Sequence, residues 1–373
     1  MEGRKIVFLI SPEYWGNNFV SKHHYANYLS AKYLVYFIQP PSKWSFKNIF
    51  STNIEINTIN PNLILVEMVN ILPRLNYLPK FAQDLLFKIQ AKRILGALEI
   101  KNPFIVWSFT PMIYWNLNIW NATKKIYHTV DFHPAKFEKD TCESADIVVS
   151  VTDLVSQPIL KYKPIIYNLG HGADIDSFVK ANLNEVVLPG ANRIKAGYVG
   201  NFHNQINYEL LKQLALRNLN IDFIMVGPCG KSNLSHFNTI SSEDFEELKA
   251  MKNVFFIGSV PSNKLMNYLL HFDINLVLFK DDKKIIHCNP HKMMGYFYAG
   301  GITVSNFLDE YKDKRHLLLM ADEEKEIEGL FKYAVENLED LNSEENKLMR
   351  RKFAEENSYA LKIEEIEKLL AIS

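Results

Sequence analysis

The sequence holds three cysteines in 373 residues, Cys142, Cys229 and Cys288, far apart and without a CxxC spacing. That count supports neither a disulfide framework nor a zinc site, and it fits a reducing compartment. Charge of one sign is also lacking, with 42 basic residues against 42 acidic. A protein that tracks phosphates along a nucleic acid carries a basic excess, so nucleic acid is not the expected partner. No apolar run approaches the ~20 residues of a spanning helix, and the opening "MEGRKIVFLISPEY" is too short in its apolar part for a signal peptide. A cytoplasmic protein is expected, with contact at the inner face of the membrane left open. No Asp-x-Asp stands at a strand end where a metal would be useful, so neither a metal nor a cofactor is expected.

What is present is apolar residue, 47% of the chain, enough for sizeable cores. In the first half, strand-like runs fall at Lys5–Ile10, Leu34–Ile38, Leu63–Glu67, Phe104–Ser108, Lys125–Thr129, Asp146–Val151 and Pro164–Asn168. Several have no polar alternation, as in strands buried on both faces of a parallel sheet. Helical stretches such as Pro79–Leu98 separate them. The pattern restarts at "RIKAGYVGN", followed by helix Tyr208–Arg217, strand "IDFIMVG", helix Ser242–Met251, strand "NVFFIGS", helix Asn263–His271, strand "DINLVLF" and strand "ITVS". Two β-α-β series predict an α/β protein of two doubly wound, Rossmann-like domains. We expect a first domain over 1–175, a linker over 176–192, a second domain over 193–341, and C-terminal helices over 342–373 that cross back to the first. Ligands of such sheets bind beyond the carboxyl ends of the strands, and the expected site is a cleft between facing domains.

The segment "CNPHKMMGYFYAGGITVS" (288–305) makes two choices that cost helix stability. Asn289 suits an N-cap, Pro290 the first helical position, and Gly300–Gly301 a stop, so a helix from Pro290 to about Ala299 is predicted. Lys292 then sits in the first turn against the helix dipole, at roughly 0.3–1 kcal/mol. Gly295 costs about 1 kcal/mol relative to alanine. Met293 and Phe297 share one stripe and Met294 and Tyr298 the next, a core pattern. An anion on the helix start would give the lysine a use, and a ligand pressing close would give the glycine one. An exposed lysine and a tolerated glycine are the other reading.

The segment "NPHKMMGYFYAGGITVS" resembles the donor-binding signature of GT-B glycosyltransferases, N-P-x-K-x-x-E-Y-x-A-x-G-x-P-V-V. The similarity runs in order along the chain. "PEYWGNNFVSKHHYANYLSAKYLVYFIQPP" is similar to the opening of bacterial polysaccharide and teichuronic-acid-type glycosyltransferases. "YHTVDF", "EKDTCESADIVVSVTDLV", "YNLGHGADIDSF", "AGYVGNFHNQINYELL" and "NVFFIGSVPSNKLMNYLLHFDINLVLFK" follow the same family. Two features depart from it. The glutamate that holds the donor ribose falls at Gly295 and its partner at His287, and the usual Arg…Lys pair is absent from "VGNFHNQINYE". The xanthan glucuronosyltransferase type also varies at that glutamate.

The resemblance implies transfer of a sugar from a UDP- or GDP-linked donor to a saccharide or lipid-linked acceptor in surface polysaccharide or glycolipid assembly, without a metal. Lys292, the helix start through Asn289, Pro290, His291 and Met293, and the turn Gly200–Asn201 would neutralise the diphosphate. Ser259 and Val260 would meet the base, and Gly295 would lie beside the donor. In the first domain Asp131, or failing it His128, would take the acceptor's proton; alternatively Asp131 caps a turn. Gly16 and Asn17 would form an acceptor-side loop. Of His23 and His24 at least one reads as structural, and His171 as a backbone-bonding residue near the hinge. The stretch 72–95, with Arg74, Lys80, Lys88, Lys92 and Arg93 among apolar residues, reads either as a surface for anionic lipid or as a solvated helix packed on the sheet. A sugar-nucleotide epimerase of the same architecture and a non-catalytic nucleotide-binding partner are the competing functions.

Overall fold

The computed structural model describes residues 4–42, 54–72, 75–190, 193–229, 240, 242–280 and 289–372. Arg74, His287 and Cys288 lie outside these residues. The chain forms two compact units. The first comprises the residues up to Gly16, Val20–Gly170 and those from Lys362; the second comprises Asn17–Phe19 and His171–Leu361.

The first unit is built on eight strands: β1 (Ile6–Ile10), β2 (Leu34–Ile38), β3 (Ile54–Asn60), β4 (Leu63–Met68), β5 (Phe104–Ser108), β6 (Lys124–Thr129), β7 (Ile147–Ser150) and β8 (Tyr167–Asn168). Their order is β3-β4-β2-β1-β5-β6-β7-β8, parallel except for β3 against β4. Strands β1 and β2 are buried along nearly their whole length, which explains their unbroken apolar runs. Strand β3 escaped the sequence reading. Its "IEINTIN" alternates apolar with polar residues and lies largely exposed at the sheet edge. It reaches β4 through Pro61–Asn62, where Asn60 Oδ1 accepts the Asn62 N–H at 2.9 Å, a local turn bond typical of asparagine.

The second unit carries β9 (Lys195–Val199), β10 (Asp222–Val226), β11 (Val254–Gly258), β12 (Ile274–Val277), β13 (Ile302–Ser305) and β14 (Leu319–Met320), in the order β11-β10-β9-β12-β13-β14. Every pairing is parallel. In both sheets the winding reverses beside the first strand, at β1/β5 and at β9/β12. Such switch points open a crevice at the carboxyl ends of the strands.

The expected linker 176–192 is not a free tether where it is described. Its Glu185 pairs with Lys264 at 2.6 Å and accepts from Asn267 at 2.9 Å, both within the second unit. Residues from Lys362 onward belong to the first unit, where Glu367 accepts from the Tyr33 hydroxyl at 2.8 Å.

Candidate functional site

In the second unit the carboxyl edge is shaped by glycines. Strands β9, β10 and β11 each run into a glycine in the left-handed region: Gly200 (φ 141°), Gly227 (φ 147°) and Gly258 (φ 85°). The three strand ends are tied together, Gly200 N–H donating to Val226 C=O at 2.9 Å and Gly227 N–H to Gly258 C=O at 2.8 Å. A Cβ on Gly227 would stand 1.9 Å from the Gly200 carbonyl oxygen, so only glycine fits. The sequence reading singled out Gly200 but not Gly227 or Gly258, because each looks like an ordinary turn until the neighbouring strand ends meet.

Over this edge lies the helix Lys292–Ala299, ended by Gly300 in the left-handed conformation (φ 92°). It begins later than predicted. His291 is the N-cap, and Asn289 turns its Oδ1 to the Tyr311 hydroxyl at 3.0 Å. Tyr296 fixes the helix to the sheet. It is fully buried, donates to Leu276 C=O at 3.3 Å and accepts from Val199 N–H at 2.9 Å. This anchor bridges β9 and β12, the two strands at the switch point. Lys292 is one turn earlier on the same stripe, so pinning Tyr296 carries the lysine over the turn after β9.

The Lys292 ammonium stands 3.6 Å from the centroid of the Tyr198 ring and 5.6 Å from that of Phe279. A Cβ on Gly200 would be 2.8 Å from Nζ. Among the described residues no carboxylate pairs with this lysine. Burial pushes its pKa well below the usual lysine range. The arrangement is an amine held against aromatic faces with no carboxylate partner among the described residues, beside a helix start whose N–H groups favour negative charge.

The other donor-side residues fall around this point or on the same unit. Asn201 follows Gly200, and its carbonyl accepts from Tyr198 OH at 3.1 Å. Ser259 is exposed just past β11, while Val260 is buried in the core. His291 Nε2 lies 2.5 Å from Tyr359 OH, and its ring meets that of His171 edge-on at 5.4 Å. Met293 is fully buried. At Gly295 the close approach seen is that of side chains. A Cβ there would meet Leu269 Cδ1 at 3.1 Å and Phe178 Cζ at 3.8 Å, so the glycine admits apolar packing.

In the first unit Asp131 is exposed beyond β6. Its charge reaches Glu13, on the loop after β1, and His133. Glu13 is paired with the buried Lys22 at 2.6 Å, yet its own burial still raises its pKa. Glu13, Lys22 and His133 were not singled out from sequence, where nothing but position after a strand marks them. His128 does not suit the role of base. It is fully buried among the rings of Tyr25, Trp107 and Phe109, at 5.2, 6.1 and 4.8 Å, and a base must reach its substrate. His23 is also structural. Its Nδ1 accepts from Val20 N–H at 3.2 Å, its Nε2 lies 3.1 Å from Tyr14 C=O, and burial lowers its pKa to about 3. The expected acceptor loop divides: Gly16 belongs to the first unit, and Asn17 to the second, where its carbonyl accepts from Ser262 N–H at 3.0 Å. Among the described residues no cluster of His, Cys, Asp or Glu could hold a metal ion.

Comparison with solved structures decides the architecture. Sucrose-phosphate synthase from Thermosynechococcus elongatus superposes with a TM-score of 0.69 over 99% of this chain and 100% of that one, at 13% identity. The UDP-forming α,α-trehalose-phosphate synthase from Burkholderia xenovorans gives 0.70 over 98% and 99%, at 9% identity. A glycosyltransferase from Rickettsia africae gives 0.67 over 98% and 97%, at 13% identity. The fold is GT-B. Within this GT-B chain, 145 residues are 22% identical to "Putative teichuronic acid biosynthesis glycosyltransferase TuaH" of Bacillus subtilis (strain 168). That match spans 38% of this chain and about a third (34%) of the other. No protein-family model matches the chain. The GT-B architecture puts the Lys292–Gly200 point at the carboxyl edge of its second sheet, where ligands of doubly wound sheets bind.

Proposed function

We propose that the protein is a glycosyltransferase that moves a sugar from a UDP- or GDP-linked donor to a saccharide acceptor, and that the second unit takes the donor. The observation that carries this reading is Lys292: an ammonium with no carboxylate partner among the described residues, pinned over Gly200 at a strand-order switch point. A nucleoside diphosphate supplies the missing charge. In the proposed reaction an acceptor hydroxyl oxygen attacks the anomeric carbon, the bond from that carbon to the diphosphate oxygen breaks, and the hydroxyl proton passes to Asp131. Lys292 and the helix start stabilise the charge that grows on the leaving group. Asn201, Asn289, Pro290, His291, Met293, Ser259 and Val260 complete the donor site in this reading.

The acceptor is proposed to be a lipid-linked saccharide of surface polysaccharide or glycolipid assembly. The similarity to the teichuronic-acid protein supports this, as does the helix Lys80–Ala97. Phe81, Leu85, Lys88 and Lys92 share its exposed stripe, and Phe81 is 78% exposed. Such a face suits an anionic membrane surface. Among the described residues no helix is long and apolar enough to cross a membrane.

The test is calorimetry with UDP and GDP, followed by turnover of the matching sugar nucleotides with lipid-linked and free saccharides. Binding of neither nucleotide refutes the reading. Binding without hydrolysis or transfer across the panel favours the non-catalytic partner.

A further inference from the structure

One histidine near Lys292 has no role in the site described so far. His203 lies on the turn after β9, half-buried, with its ring stacked on Phe279 at 6.1 Å between centroids. Phe279 is the same ring that Lys292 Nζ approaches at 5.6 Å. The two side chains therefore flank one aromatic ring at the switch point of the second sheet. The turn is held on several sides. Tyr208 OH donates to His203 C=O at 3.0 Å, and Lys280 N–H donates to Gln205 C=O at 2.9 Å.

The ring's tautomer follows from its contacts. Gln205 N–H donates to Nδ1 at 3.3 Å, which makes Nδ1 an acceptor and leaves the ring proton on Nε2. Among the described residues Nε2 has no hydrogen-bond partner. The segment "VGNFHNQINYE" holds no lysine or arginine, so the turn after β9 offers no second cation beside Lys292.

We propose that His203, as a neutral imidazole, donates its Nε2–H to the diphosphate of the donor beside Lys292. This rests on the donor-site reading above and extends it to a residue not assigned there. Burial and the Lys292 charge hold His203 at a pKa of about 4, so the ring is neutral at assay pH. Among the described residues the groups around it are Lys292 across the Phe279 ring, the Tyr208 hydroxyl at its carbonyl, and the backbone of Gln205.

The experiment is calorimetry of UDP and of uridine with the wild type, His203→Phe and His203→Gln, at several values between pH 6 and 8, with GDP and guanosine run in parallel. Phenylalanine keeps the stack on Phe279 and removes the donor. Glutamine keeps an N–H. The expected result is a roughly tenfold loss of diphosphate affinity in His203→Phe, with nucleoside affinity unchanged, and partial recovery in His203→Gln. The loss should be the same at pH 6 and pH 8. Equal diphosphate affinity in folded His203→Phe overturns the proposal while leaving the donor-site reading intact. A loss that grows toward pH 6 overturns the neutral-donor form, because it means that an imidazolium binds. If the wild type binds neither diphosphate, the donor-site reading fails and this proposal fails with it.

Discussion

Replacing Lys292 with methionine should make the protein more stable and a poorer binder at once. Lys292 is half-buried, and its ammonium has lost part of its hydration without gaining a counter-ion among the described residues, at an effective cost of about 3–4 kcal/mol. The Tyr198 face at 3.6 Å returns about 2 kcal/mol. Methionine keeps the length and removes both terms, so a net gain of about 1–2 kcal/mol is expected. For a unit of this size that is roughly 3–6 °C in melting temperature. The pH dependence follows from the direction of the shift. The folded pKa lies below the usual 10.5, so the folded state holds this proton less tightly than the unfolded chain. The penalty is full below the folded pKa and fades as pH rises toward 10.5. The methionine variant's advantage should therefore be largest near neutrality and shrink in alkali. UDP binding should weaken by about 10- to 100-fold, the loss of one charge-assisted contact. Thermal melts with and without saturating UDP read both effects, because a ligand that binds only the folded state raises its stability. A methionine variant that melts lower than wild type and keeps wild-type UDP affinity refutes the reasoning.

Asp131→Asn should preserve nucleotide affinity and lower turnover at least 100-fold, the usual scale of a lost general base; full activity in a transfer assay removes Asp131 from that role. Gly227→Ala should cost about 3 kcal/mol or prevent folding, through collision with the Gly200 carbonyl and an unfavourable φ, as read by denaturant melts. Gly295→Ala should stay within about 1 kcal/mol of wild type, the helix preference for alanine offsetting the tight Leu269 contact, with UDP affinity unchanged. His23 is buried neutral, with a folded pKa of about 3 against an ordinary 6.5, so its contribution is intact above 6.5 and is lost as pH falls toward 3. By pH 5 that loss is roughly 2 kcal/mol, and His23→Gln should flatten the acid limb of the stability curve. Replacing Phe81 and Leu85 with serine should reduce co-sedimentation with phosphatidylserine vesicles and leave UDP affinity unchanged.

Much of the fold was legible because both sheets are buried and parallel. Their strands had to be apolar runs, and the helix–strand alternation had to start twice. The misses share the opposite physics. Strand β3 is exposed and alternating, and β14 is two residues long, too short for any periodic signal. At the candidate site, Lys292 was visible because it breaks a local rule, and Gly200 because it ends a strand at the expected ligand edge. Tyr296 was not, because a tyrosine in a helix breaks none, and its role exists only once β9 and β12 lie side by side. Gly295 broke a rule too, and the packing of Leu269 against it is a reason that sequence could not supply. His128 looked available because sequence gives its place at a strand end and not the three rings around it.

The return of the residues from Lys362 to the first unit bears on how the chain is made. On the ribosome all eight strands of the first sheet emerge long before the helical segment that bears Glu367, the partner of Tyr33. The second unit can close over its own sheet while the first still exposes the patch that this segment will cover. Synthesis order and completion order are thus reversed. A truncation late in the sequence should therefore be felt in the unit that was translated first.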